Sequence, residues 1–389
     1  WGFNTSGQLG NGTWGSFSNR PVAVNMSFLP GGDSVTAIAA GGEHTLALTS
    51  SGKVYVWGRG DFGRLGNNST TNVSTPQPVT TSGVLAGKTV TAIAGGAWHS
   101  LALTSDGKLY AWGAGNSGQL GNGGTSDSWV PVAVDMTGAL AGKTVKAIAS
   151  GGYFNLALTT DGQLFSWGRG NNGQLGNGGT TNSLVPVPVD MTGVLGGRTV
   201  TAISAGSDHG LALTSDGKVY SWGSWLGLGA SQTQSSSVPV AVNTCGVLNG
   251  ATVVSLASGH GANHGGVVAT IAPPVPPVAI NDHFTATEDQ QLTVPVNSSV
   301  LANDVTRCGT LALLVTTTPN GTLTLSTNGT FTYRGLTNFN GTDSFTYIAT
   351  NSAGVSDTAT VTIVVNAVND RPIVTLKTNT VSVVQNSGP

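Results

Sequence analysis

Charge is what this 389-residue chain has least of: acidic and basic residues together make up 8% of it, against roughly a quarter in ordinary globular proteins. Glutamate occurs only at Glu43 and Glu288, which leaves little machinery for general acid–base chemistry. No nucleophile elbow, Cys-His arrangement or phosphate-binding loop is present, so no enzyme activity is expected. Residues 1–271 hold 11 basic and 10 acidic residues, and residues 272–389 hold 4 and 7, for balances of +1 and −3. Neither part has the basic field that a phosphate backbone demands, which excludes nucleic acid as an expected partner. Cysteine is nearly absent; Cys245 and Cys308 fall in different predicted domains and are expected as free thiols, too few to report a redox compartment. No apolar run reaches the roughly 18 residues that cross a bilayer. No charged-then-apolar leader is seen, and the first residue, Trp1, stands in the middle of a motif, so the chain reads as a fragment.

Glycine, by contrast, is abundant at 58 residues, with 16 prolines and 39% hydrophobic residues. That mixture suits many tight turns, opposes long helices and still supplies a core. The decisive feature is a repeat of 55 residues. Trp-Gly recurs at Trp1, Trp57, Trp112, Trp167 and Trp222; Gly-x-x-His recurs at Gly41/His44, Gly96/His99, Gly206/His209 and Gly261/His264, with Phe154 replacing His in the third unit; and Pro21, Pro76, Pro131, Pro186 and Pro239 form a third series. Each unit reads as four short strands, Val90–Ala94, Ser100–Thr104, Lys108–Trp112 and Val130–Asp135 in the second. Asp106-Gly107, Asp161-Gly162 and Asp216-Gly217 predict two-residue hairpin turns in which both residues take positive φ. One four-stranded sheet cannot bury both faces alone, so the units must stack, and radial stacking gives a β-propeller with the tryptophans wedged between blades. The repeated histidine, once per unit, is expected to fix a turn through its ring nitrogens.

The linked motifs WGxGxxGQLG and GxxH-[ST]-LALTxDGxxYxWG resemble the regulator of chromosome condensation (RCC1) repeat. Trp112, Gly113, Gly118, Leu120 and Gly121 carry one half of it, and Gly96, His99, Leu101, Leu103, Asp106, Gly107 and Tyr110 the other. The resemblance covers residues 1–271 and implies a propeller of a family whose members have seven blades. Five units are present here, the last without its Trp-Gly strand, which predicts nineteen strands in an incomplete, open ring, with a closed five-bladed ring as the alternative. Residues 272–278, APPVPPV, are a proline-rich linker. Residues 279–370 predict a β-sandwich of about seven strands, with Asn320-Gly321 and Asn328-Gly329 as hairpins. Ala279-Ile280-Asn281-Asp282, Leu301-Ala302-Asn303-Asp304, Gly329–Tyr333 and Gly341–Tyr347 resemble the bacterial cadherin-like or immunoglobulin-like tandem repeat. Residues 371–389 read as the start of a further truncated unit.

Two candidate sites follow. The residue before the motif histidine varies on a constant framework, reading Glu43, Trp98, Tyr153, Asp208 and Asn263 in register, and the loop after Trp-Gly adds Arg59, Asp61, Phe62, Asn116 and Arg169. Diverse side chains on one rim of a repeat scaffold are how such a protein builds a binding face, and Trp98 with Tyr153 is the expected aromatic anchor. The cadherin-like resemblance implies calcium at Asp282, Glu288, Asp289, Asp304 and Asp370, while Asx-turns are the plainer use of the same residues. The leading expectation is a non-enzymatic adhesion or binding module, secreted or on a bacterial surface, that meets a protein or glycan through its rim with the cadherin-like domain as spacer. The RCC1 resemblance also implies a guanine-nucleotide exchange or chromatin-associated factor, and a related propeller inhibits β-lactamase, so an enzyme inhibitor is a third reading.

Overall fold

The computed structural model describes residues 1–15, 17–224, 235–244, 248, 250–271, 276–305, 309–351, 354–369, 373–377 and 380–384. Cys245, Cys308 and Asp370 lie outside these residues, as does most of the proline-rich linker. The chain divides into two compact units, residues 1–243 with 252–270, and residues 244–251 with 271–389.

In the first unit, β1 (Gly2–Phe3) pairs with β2 (Phe17–Ser18). Four antiparallel four-stranded sheets follow. They are β3–β6 (Val35–Ala40, His44–Thr49, Val54–Gly58, Val73–Pro78), β7–β10 (Val90–Gly95, His99–Thr104, Leu109–Gly113, Ser128–Ala133), β11–β14 (Val145–Ser150, Phe154–Thr159, Leu164–Gly168, Ser183–Pro188) and β15–β18 (Val200–Ala205, His209–Thr214, Val219–Gly223, Ser236–Ala241). A two-stranded sheet, β19 (Ala251–Ala257) with β20 (Gly266–Ile271), ends the series. The sequence reading of five units thus resolves, among the described residues, into four complete sheets with a two-stranded sheet on each side. No strand follows Pro21: β2 makes the Gly2↔Ser18 pair that opens the outer ladder of the complete sheets, as Gly113↔Ser128 and Gly168↔Ser183 do, and the ladder does not continue past it.

The second and third strands of each complete sheet are buried on both faces, which is why Leu-Ala-Leu-Thr runs apolar rather than alternating. The cores lie between sheets: Leu46, Leu48 and Val56 pack with Tyr110 and Trp112 of the next sheet, and Leu101, Leu103 and Leu109 with Phe165 and Trp167 of the one after. Trp57, Trp112, Trp167 and Trp222 are buried wedges, whereas Trp1 is 76% exposed. Their burial is completed by a bond across the seam: the indoles of Trp57, Trp112, Trp167 and Trp222 donate to the carbonyls of Gln8, Arg64, Gln119 and Gln174 at 2.9, 3.0, 3.1 and 3.0 Å.

The histidines also serve the seam rather than a turn of their own sheet. His44 Nε2 meets Ser100 Oγ at 2.9 Å, His99 Nε2 meets Asn155 Oδ1 at 2.9 Å, and His209 Nε2 meets Ser258 Oγ at 3.5 Å. The glycine of Gly-x-x-His is required because a Cβ at Gly96 would stand 2.1 Å from the His99 ring. Where Phe154 replaces histidine, the position 56 residues on is Gly210, which has no side chain to pair with. In the last unit His264 is exposed. Its neighbour His260 instead lines a central cavity of about 220 Å³ with Ala40, Gly95, Ser150 and Ala205, so the innermost strands of the four complete sheets and the end of β19 face one cavity.

The hairpins at Asp106, Asp161 and Asp216 are three-residue turns, not the two-residue form expected: only Gly107, Gly162 and Gly217 take positive φ, and the Gly107 amide donates to the Thr104 carbonyl. The aspartate is freed to bind Thr104 and Lys88.

The second unit holds one sheet of order β21 (Asp282–Thr287), β27 (Gly354–Asn366), β26 (Gly341–Asn351), β23 (Leu311–Thr316), and another of order β22 (Leu292–Val294), β25 (Phe331–Gly335), β24 (Gly321–Leu325). β21 runs parallel to β27. Between the sheets lie Phe331, Tyr333, Phe345, Tyr347, Val361 and Ile363, with Phe284, Phe331 and Phe345 edge to face at 5.0 and 5.3 Å. Asn320-Gly321 is not a hairpin, because β23 and β24 belong to different sheets. Asn328-Gly329 is one, again with positive φ at the glycine alone. A last hairpin joins β28 (Ile373–Lys377) and β29 (Thr380–Val384).

Candidate functional site

The residue before each motif histidine is held by one repeated bond. The backbone carbonyls of Glu43, Trp98, Tyr153 and Asp208 accept from the amides of Arg59, Ala114, Arg169 and Ser224 at 2.8–2.9 Å. The scaffold is constant, and only the side chains differ.

Those side chains assemble into a strip across three successive sheets. Trp98 and Tyr153 meet edge to face, with centroids 5.2 Å apart. Phe62 stacks on the other side of Trp98 at 5.1 Å and 12°. The Arg64 guanidinium lies 5.7 Å from the Phe62 ring centre, and Arg169 lies 5.7 Å from that of Tyr153, both within cation–π range. Beyond Phe62, Arg59 is neutralised by Glu43 at 3.0 Å and Asp61 at 2.6 Å, and its pKa is raised by them. At the far end Asp208 accepts from Gln174 at 2.9 Å. Five of the seven predicted rim residues, Glu43, Arg59, Trp98, Tyr153 and Arg169, therefore sit in this strip; Asp208 contacts Gln174 beyond it, and Asn263 is exposed and joins none of its contacts. Asn116 bonds Gln119 and takes no part in the aromatic row.

Arg64 is the residue that sequence reasoning missed. It stands where Gln8, Gln119 and Gln174 stand in three Gly-Gln-Leu-Gly turns, and the departure Gly63-Arg64-Leu65-Gly66 was the available signal. Each glutamine accepts the amide two residues earlier, at Ser6, Ser117 and Asn172, at 2.8 Å. Arginine has no acceptor. In this turn Phe62, the residue that would donate, adopts φ +60°, a conformation that costs a side-chain-bearing residue about 1–3 kcal/mol. Arg64 itself is 1% exposed. Its Nε donates to the Asp61 carbonyl at 3.0 Å and its Nη1 to that of Ala97 at 3.3 Å, while Nη2 has no partner.

Of the five acids proposed for calcium, Asp370 lies outside the described residues, and the other four do not come together as one set. Asp282 and Asp304 are neighbours beside the Tyr347 hydroxyl, which lies 2.9 Å from Asp304. Burial and the Asp304 charge push the Asp282 carboxyl up to about 7. Glu288 is spent on the Val368 amide at 2.8 Å and Asp289 on that of Asn338 at 3.1 Å. Among the described residues no three metal-ligating side chains converge, short of the six to eight oxygens that calcium takes.

A family model described as RCC1-like domain matches residues 1–269. The chain belongs to the RCC1-like family. A second model, bacterial Ig domain, matches residues 274–364. Against the ultraviolet-B receptor UVR8 of Arabidopsis thaliana, the RCC1-like chain is 38% identical over 224 residues, covering 57% of this chain and 48% of that one. Against the human E3 ubiquitin-protein ligase HERC2 it is 37% identical over 225 residues, 58% of this chain and 4% of the other. The chain thus spans about half or less of these relatives. The solved structure of human WBSCR16 superposes with a TM-score of 0.60 at 28% identity, covering 68% of this chain and 65% of its own. No described helix is long and apolar enough to cross a membrane.

Proposed function

We propose that this RCC1-like chain is a non-enzymatic recognition module of a secreted or cell-surface protein, binding a protein partner through its rim, with the Ig-like domain as spacer. The observation that carries the reading is the row Phe62, Trp98, Tyr153, Arg169. Half-exposed aromatic and arginine side chains, spanning several repeats on a fixed backbone, have the composition of interface hot spots. The match to a bacterial Ig domain supports the surface location. An exchange factor or an enzyme inhibitor would use a propeller surface too, but nothing in the strip favours either over a general protein interface.

The test is a protein and glycan array probed with the wild-type chain, the double variant Trp98→Ala/Tyr153→Ala, and Trp129→Ala, which removes another exposed tryptophan. Protein hits lost by the double variant, by tenfold or more in affinity, and kept by Trp129→Ala are the expected result. Retention of every hit by the double variant overturns the choice of face.

A further inference from the structure

We infer that the strip binds an acidic segment of its partner: carboxylates on either side of an apolar side chain, one answering Arg64 and the other Arg169. The inference rests on the rim being a binding face and adds the chemistry of what it binds.

Charge complementarity carries it. Of the three arginines along the strip, Arg59 has two carboxylate partners. Arg169 donates only to the neutral Asn171, at 2.7 Å, and no described carboxylate pairs with it or with Arg64. Arg64 meets two backbone carbonyls and leaves Nη2 unbonded in a buried position. Asp61 and Glu43 act on Arg64 without forming an ion pair with it, a buried cation with no direct carboxylate partner is costly, and the turn itself does not require one, because three sister turns place glutamine there to accept the turn amide. Burial lowers the pKa of Arg64 to about 10, so it remains protonated at neutral pH.

The backbone points the same way. Phe62 is held at φ +60° in the turn that departs from the glutamine pattern, and its ring lies over the unsatisfied guanidinium. Strain and an orphaned donor therefore coincide with the aromatic row in one turn, as at ligand sites. Movement of the Phe62 ring brings Nη2 to a carboxylate while Trp98 and Tyr153 receive the apolar side chain. The three ring centres are spaced by 5.1 and 5.2 Å, and at about 3.3 Å per extended residue this length matches roughly three residues of peptide.

Random heptapeptides displayed on phage would be selected on the wild-type chain and counter-selected on Trp98→Ala/Tyr153→Ala. Enrichment of peptides with Asp or Glu flanking an apolar residue is expected, with at least tenfold weaker binding when those acids are made amides. Arg64→Gln should weaken the enriched peptides at least tenfold and raise the thermal midpoint by roughly 2–4 °C, because it restores the sister geometry. Arg169→Gln should weaken them without that rise. Enriched peptides lacking acidic bias, or full affinity in Arg64→Gln or Arg169→Gln, overturn the acidic ligand while leaving the rim reading intact. Failure to enrich any peptide that tells wild type from the double variant sinks the rim reading with it. Displacement of the peptides by polygalacturonate, with tighter binding of that polymer, would assign the strip to a glycan and overturn the inference.

Discussion

The RCC1-like sheets and the Ig-like domain both bury ionisable groups, but they do so in opposite protonation states. In the first, His44, His99 and His209 are enclosed between sheets, and desolvation lowers their pKa, to about 4 for His99. Each is neutral and takes a hydroxyl or an amide of the next sheet at Nε2. In the second, Asp282 is enclosed beside Asp304, and burial with that neighbouring charge pushes it up to about 7, so at neutral pH it is half protonated, while the Tyr347 hydroxyl donates to Asp304. Repetition permits the first solution, since a polar pair that works once can be copied at every seam. A single sandwich has one such site and must build it from whatever its loops bring together.

Three experiments would sharpen or break the contrast. The largest effect is expected from Trp167→Ala, which empties a seam and leaves the Gln119 carbonyl with Asn155 as its remaining side-chain donor; a loss of about 3–5 kcal/mol should appear in denaturant unfolding followed by tryptophan fluorescence. All nine tryptophans lie in the RCC1-like part, so that signal isolates it.

Next is pH. The seam histidines have folded pKa values below the unfolded 6.5, so the stability they allow is present above pH 6.5 and is lost as pH falls toward 4. Asp282 has a folded value above the unfolded 3.8, so its contribution is present below about pH 4 and is lost as pH rises through 7. Between these limits the two domains should move in opposite directions, each by on the order of 2 kcal/mol. Hydrogen exchange read separately in peptides from the two domains measures this, and parallel trends would abolish the contrast.

The smallest effect is a coupling. His99→Phe leaves the Asn155 carbonyl oxygen without its ring partner, and Asn155→Gly leaves His99 without an acceptor, whereas the two together reproduce the Phe154 and Gly210 pairing of the next seam. A double-mutant cycle should show about 1 kcal/mol of favourable coupling. Strict additivity would mean that the histidine acts only within its own sheet.

Much of this was legible in the residues. The 55-residue spacing of Trp-Gly predicts wedges between stacked sheets, and four of the five tryptophans lie there; Trp1, just before the two-residue strand β1, is exposed instead. Strand β21 is hard to read in the residues because its first inward position is Asp282, and a carboxylate there disguises the alternation continued by Phe284 and Ala286. The partners of the histidines were illegible for a different reason: contacts 56 residues apart follow from the stacking geometry, and no local pattern announces them. Arg64 was hidden by tolerance, since arginine for glutamine in an exposed-looking loop attracts no notice until the side chain is found enclosed.

The seam pairs also set rules for how such arrays can gain or lose units. Excising residues 100–154 would bring His44 against Asn155, a match that His99 already makes. Excising residues 155–209 would set His99 against Gly210, a plug without a socket. Deletions of the same length are therefore not equivalent, and the histidine positions act as a joining code that decides which neighbours a repeat will accept.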